Sequence, residues 1–315
     1  FKQKTAYEML RSLVGSEMCI RDSFGDNYEL KCTDIDLNEP WLSYLDFRDY
    51  TAYFSDVSEF GPDYLFHLGA FTDLEYCETN QDETYATNTL AVENAAHIAN
   101  RLDIPILYIS TAGIFDGTQD TFDDWDLPNP LGHYARSKYA GELFIQQNCQ
   151  RHLICRAGWM MGAGPNKDKK FIQKIMSQLK EGNKELFIVD DKLGTPTYTY
   201  DFAANVKLLL EKEFWGLYNM VCGGITGRDE VAKELLNILR LENQVNITLV
   251  ASDYWKKEYF AERPPSERLV NKKLDIRDLN IMRDWRICLK EYILSLIHIS
   301  EPTRLLSISY AVFCL

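Results

Sequence analysis

No apolar run among the 315 residues approaches the ~20 that a membrane-spanning helix needs, which excludes a membrane partner of that kind. Basic residues are few: 34 lysines and arginines against 47 acids leave a net charge of −13 and no basic stripe. A nucleic-acid partner, which needs clustered cations, is therefore excluded; a small phosphorylated ligand needs only a few local donors and is not. The eight cysteines make no Cys-x-x-Cys pair and have no metal-like spacing with the five histidines. No metal centre is expected, and Cys32, Cys77, Cys149, Cys155, Cys222 and Cys288 read as reduced packing residues of a cytoplasmic protein.

The two ends lack the patterning of the middle. With suitable codons, the complementary strand to that encoding Leu13–Ser23 reads "LSLIHISEPTR" (294–304), and Lys2–Met9 is related in the same way to Ile308–Leu315. Independent protein segments have no reason to be complementary, whereas adaptors ligated to both ends of a DNA fragment do. Residues 1–23 and 294–315 are therefore expected to be non-native adaptor translations and are set aside.

Between them, short apolar runs alternate with helical stretches, the pattern of a parallel sheet wrapped by helices. "YELKCTDID", "DYLFHLGAF", "PILYISTAGIF" and "HLICRAGWMMG" read as strands; "ETYATNTLAVENAAHIANRL" and "HYARSKYAGELFIQQNC" read as helices. The expected fold is α/β: a Rossmann-like doubly wound parallel sheet with a smaller α+β substrate-binding region. Residues 24–158 would form the truncated NAD(P)-binding domain and 159–293 the substrate region, interleaved with the last Rossmann elements at 186–215. Such a fold opens with a strand, a glycine-rich turn and a helix that hold a pyrophosphate. Here "SLVGSEMCIRDS" stands in that place, and Gly15 alone is no substitute. The sheet is thus expected to lack its native first strand, turn and helix, and the chain as it stands to bind cofactor weakly and be inactive. "YELKCTDID" then becomes the second strand, with Asp34 placed to bond an adenosine ribose.

"YARSK" puts Tyr134 and Lys138 one helical turn apart on one face. A phenol with a reference pKa of ~10 exchanges protons poorly near neutrality, and a neighbouring ammonium is expected to lower that value. Ser110 and Thr111 end a buried strand at the edge where open α/β sheets place ligands. A hydroxyl there could bond a substrate oxygen beside the tyrosine, so Thr111, Tyr134 and Lys138 are the candidate catalytic residues of a hydride-transfer enzyme.

With these residues in order, the chain resembles the extended short-chain dehydrogenase/reductases, and within them the dTDP-4-dehydrorhamnose reductase family. "LDFRDY", "HLGAFTDLEYCE", "NTLAVENAA", "STAGIFDG", "NPLGHYARSK", "CRAGWMMG", "VDDKLGTPTYTYDFA" and "RPPSERLVNKKL" carry the likeness, which covers essentially all of 24–293. The resemblance implies NADPH or NADH as cofactor, with Asp46 and Phe47 on its adenine side. Leu68, Gly69, Ala70, Asn88, Ser110, Tyr134 and Lys138 would line the rest of that site. It also implies a nucleotide-linked sugar as substrate, with Phe71, Thr72 and Trp159 near the sugar and Arg263 near the phosphates. The implied activity is reduction of a 4-keto-deoxysugar; an epimerase of the same superfamily, or a non-catalytic binding subunit, is the alternative. A homodimer is left open. Two departures stand out: Ala112-Gly113 follows the Ser-Thr pair where the family usually has Asp-Tyr, and His67 stands where Asn is common. "FDDWDLPNP" reads as a solvated acidic loop, Lys167–Lys170 as a solvated helix start, and Asp190 and Asp191 as turn caps.

Overall fold

Strands Tyr64–His67 (β4), Ile106–Thr111 (β5) and His152–Ala157 (β6) are apolar on both faces, so they can be stable only with cover on both sides. That cover is present. In this computed structural model, which describes residues 3–9, 21, 23–25, 28–162 and 170–300, they form the middle of a seven-stranded sheet. Its order is Gly216–Asn219, β6, β5, β4, Gln3–Met9 (β1), Tyr28–Asp34 (β2), Leu42–Tyr44 (β3), every neighbouring pair parallel.

Alternate side chains point to opposite faces. Leu65, Ile106, Tyr108 and Ile154 pack against the small-residue face of helix Ala91–Leu102, where Ala91, Ala95, Ala96 and Ala99 are buried. Phe66, Leu107, Ile109 and Leu153 pack on the other side against helices Thr199–Glu211 and Trp285–Ser300.

A strand, Gln3–Met9, occupies the first position of the sheet, with Tyr7 paired to Cys32 on one side and Phe66 on the other. A slot between two parallel strands offers backbone donors and acceptors on both sides, and any segment without proline can meet them. The segment around Gly15 lies outside the described residues. Residue 293 is no structural boundary, since helix Trp285–Ser300 passes through it and Leu296 is buried in the core. Within 186–215, only the helix Thr199–Glu211 serves the main sheet, and the strand it leads to begins at Gly216. Strand Glu185–Val189 pairs instead with Asn246–Val250 in a separate two-stranded sheet.

The acidic loop is also more than a solvated turn. Asp124 is buried and accepts hydrogen bonds from the backbone N–H groups of Asn219 (2.7 Å) and Lys273 (2.8 Å), which joins the loop to the sheet edge. Asp191, expected to cap the turn that follows it, instead accepts hydrogen bonds from the distant Ser252 N–H and hydroxyl. Cys32, Cys77, Cys149, Cys155, Cys222 and Cys288 are buried, and among the described residues none is in a disulfide. Among the described residues, no helix is long and apolar enough to cross a membrane.

Helix His133–Asn148, which carries Tyr134, is held to β6 by a buried ion pair: Arg156 donates to both carboxylate oxygens of Glu142, at 2.6 and 3.2 Å. The side chains are 4% and 0% exposed, so losing one partner leaves the other charge buried and uncompensated. Glu142→Ala is therefore expected to cost ~3–5 kcal/mol in urea unfolding. A loss below ~1 kcal/mol, the range of an exposed pair, would show that the pair does not hold this helix.

Candidate active site

β5 delivers Ser110 and Thr111 to the carboxyl edge of the sheet, and the chain then turns through Ala112–Ile114. Thr111 extends over that turn, its Oγ1 accepting from the Gly113 N–H at 3.2 Å. Helix His133–Asn148 brings the Tyr134 phenol beside Thr111, close enough for that residue to draw its pKa down. One turn on, Lys138 is 1% exposed, with Nζ 4.1 Å from the centre of the Tyr108 ring, and the Tyr108 hydroxyl donates to the Lys138 carbonyl at 3.0 Å. The structure therefore brings Thr111, Tyr134 and Lys138 together at one strand end.

Their ionisation departs from expectation. Burial pushes the Tyr134 phenol above its ordinary value, by more than the neighbouring Thr111 draws it down. Lys138 is not among the groups that shift it. Burial presses Lys138 itself down to about 7, partly opposed by Glu142. The amine rests over the Tyr108 ring, and its desolvation disfavours the charge that was to have acidified the phenol. His67 lies in the same buried layer, edge-on to Phe47 and beside Tyr53 and Tyr108. Burial, then the Lys138 charge, lower it to about 3, so it is neutral.

Asn88 orders this assembly. It sits fully buried in a π-helical turn, Ala86–Leu90. Its Oδ1 accepts from the Phe71 N–H at 2.8 Å, and its Nδ2 donates to the Phe71 carbonyl at 3.0 Å and to Ser137 Oγ at 3.1 Å. Ser137 in turn donates to the Tyr134 carbonyl at 2.8 Å. The turn after β4 and the tyrosine helix are thus fixed by one side chain. Gly141 lets the helix come this close, since an added Cβ would lie 3.0 Å from the Asn88 carbonyl and 3.1 Å from the Tyr108 hydroxyl.

Other expected residues sort by place. Asp34 is buried at the end of β2, accepting from the Asp36 N–H at 3.0 Å. Asp46 is held by Arg48, whose hydrogen bonds keep its carboxyl below the usual range. Phe47, Leu68, Gly69 and Ala70 are all buried. Phe71 and Thr72 line a pocket of about 150 Å³ with Asp73 and Tyr76. Lys170 reaches Thr72 at 3.5 Å. Trp159 donates its indole N–H to Glu267 at 2.8 Å, and Arg263 pairs with Glu75 at 2.8 Å. Sequence reasoning missed Glu267, Glu75 and Arg228, whose guanidinium lies 4.4 Å from the centre of the Trp159 ring. Each comes from an element distant in sequence, and no spacing rule links them.

The residues present fit a dinucleotide. Asp34, Leu68–Ala70 and Ser110 lie at carboxyl ends of β2, β4 and β5, the edge where such sheets receive one. Ser110 Oγ is buried with no hydrogen-bond partner among the described residues, an orphaned hydroxyl on that edge.

The family described as RmlD substrate binding domain matches residues 15–297, and the chain belongs to it. The chain is 28% identical over 283 residues to the spore coat polysaccharide biosynthesis protein SpsK of Bacillus subtilis, spanning 89% of this chain and 93% of that one. It is 28% identical over 257 residues to the dTDP-4-dehydrorhamnose reductase of Salmonella typhimurium, 78% of this chain and 83% of that one. The crystal structure of a dTDP-4-dehydrorhamnose reductase from Clostridium acetobutylicum superposes with a TM-score of 0.83 at 27% identity, covering 93% of this chain and 99% of that one.

Because burial keeps Tyr134 protonated, difference absorbance of the wild type against Tyr134→Phe is expected to show no phenolate from this residue below about pH 10. A phenolate signal near neutrality that vanishes in the variant would contradict the geometry.

Proposed function

We propose that the protein reduces the keto group of a nucleotide-linked 4-keto-deoxysugar, as the dTDP-4-dehydrorhamnose reductases to which it is similar are named for doing. The observation that carries this reading is the placing of the Tyr134 phenol beside Thr111, buried at the carboxyl edge of a parallel sheet with Lys138 one helical turn behind it. NADPH or NADH, held by Asp34, Asp46, the backbone of Phe47 and Leu68–Ala70, and by Ser110 and Lys138, supplies the hydride when bound.

The chain's own residues do the rest. Tyr134 keeps its proton through neutrality and gives it to the keto oxygen as negative charge develops there. Thr111 fixes that oxygen through its hydroxyl, and Asn88 holds the tyrosine helix to the turn at Phe71. Phe71, Thr72 and Trp159 contact the sugar, and Arg263 reaches the nucleotide phosphates. Six buried thiols outside any disulfide among the described residues suit the cytoplasm as the place of action.

The assay follows NADPH oxidation with dTDP-, UDP- and GDP-linked 4-keto-6-deoxysugars. It uses a chain in which residues 1–27 are replaced by the corresponding residues of the Clostridium acetobutylicum relative. Tyr134→Phe is expected to lower kcat by ~100- to 10,000-fold, the usual worth of a positioned general acid. Full activity in that variant would overturn the reading, and sugar interconversion without net NADPH consumption would point to an epimerase.

A further inference from the structure

Glu267 is held by one oxygen only. Its Oε2 accepts from the Trp159 indole at 2.8 Å, while no hydrogen bond to Oε1 is present among the described residues. Oε1 faces the backbone of Gly113: a Cβ added there would lie 3.2 Å from it and 3.5 Å from Thr111 Oγ1. Those two oxygens are therefore no more than about 6.7 Å apart. The Glu267 charge also reaches the Tyr134 phenol and the Arg228 guanidinium. Any side chain at 113 would crowd the carboxylate, so Gly113 and Glu267 form a matched pair. The departure from the reductases' Asp-Tyr makes room for an acid beside the Thr111–Tyr134 hydroxyls.

We infer that Glu267 is a specificity-determining residue, its Oε1 accepting a hydrogen bond from the hydroxyl on the sugar carbon next to the carbonyl. This rests on the reading of the site as a keto-sugar site. With the keto oxygen on Thr111 and Tyr134, the 3-hydroxyl of a 4-keto sugar is the adjacent donor. Two oxygens on neighbouring ring carbons, each within ~2.8 Å of its protein partner, bridge a gap of this size. C5 on the other side of the carbonyl carries no hydroxyl in a pyranose ring, so the carboxylate reads one side of the ring.

The test is calorimetric binding of two ligands to the 315-residue chain: a dTDP-6-deoxyhexose carrying a 3-hydroxyl and its 3-deoxy counterpart. The wild type is expected to prefer the hydroxylated sugar by ~10- to 100-fold, the worth of a hydrogen bond to a charged group. Glu267→Ala brings that ratio close to one. Gly113→Ala, whose new Cβ presses on Oε1 and leaves Trp159 alone, lowers it in the same direction and decides the matter if Glu267→Ala does not fold. A wild-type ratio near one, or a ratio that neither substitution moves, overturns the assignment while the sugar-nucleotide site stands. Binding of neither ligand overturns the reading of the site, and the assignment with it.

Discussion

The Asn88 side chain is the constraint on which the site depends. It is fully buried and satisfies both backbone groups of Phe71 while donating to Ser137. A buried amide with its partners removed costs ~1–3 kcal/mol per unsatisfied group, so the arrangement favours one geometry strongly. A π-helical turn is what delivers it: the extra residue in Ala86–Leu90 swings Asn88 out of helical phase toward the turn. The same helix is wedged against the tyrosine helix through Gly141, and Thr89 adds a bond to the Ser137 carbonyl at 2.9 Å.

From that fixed geometry the electrostatics follow. Tyr134 and Lys138 lie too deep for water to stabilise their charged forms, so the phenol rises and the amine falls. His67, neutral in the layer below, adds no competing charge. A phenol that keeps its proton until a developing oxyanion takes it is a donor, which suits reduction of a carbonyl. Glu267 brings a fixed negative charge to the other flank, where the sugar ring would lie.

Much of this was legible beforehand. β4, β5 and β6 announced themselves by apolar runs, the Ala-rich helix by its spacing, and the Thr111–Tyr134–Lys138 set by its place at a strand end. Depth was not legible. Helical spacing puts Lys138 on the face of Tyr134, but it could not show the ammonium against Tyr108 or its loss of hydration. Phe47 and Leu68 were placed near a ligand by motif, whereas the structure buries both side chains in the core. Pairings across long separations were invisible as well: Trp159 with Glu267, Arg263 with Glu75, Asp124 with Asn219. Nor could composition foretell that Gln3–Met9 would fill the first-strand slot, because backbone groups rather than side chains satisfy it.

The most direct measurement is hydrogen exchange at the Phe71 amide, compared between the wild type and Asn88→Ala. If the Asn88 amide fixes the turn to the tyrosine helix, exchange at Phe71 rises ~10-fold or more in the variant, while the amides of β5 keep their protection. Unchanged protection at Phe71 would mean that the turn is held by something else, and the account of how Tyr134 is positioned would be wrong.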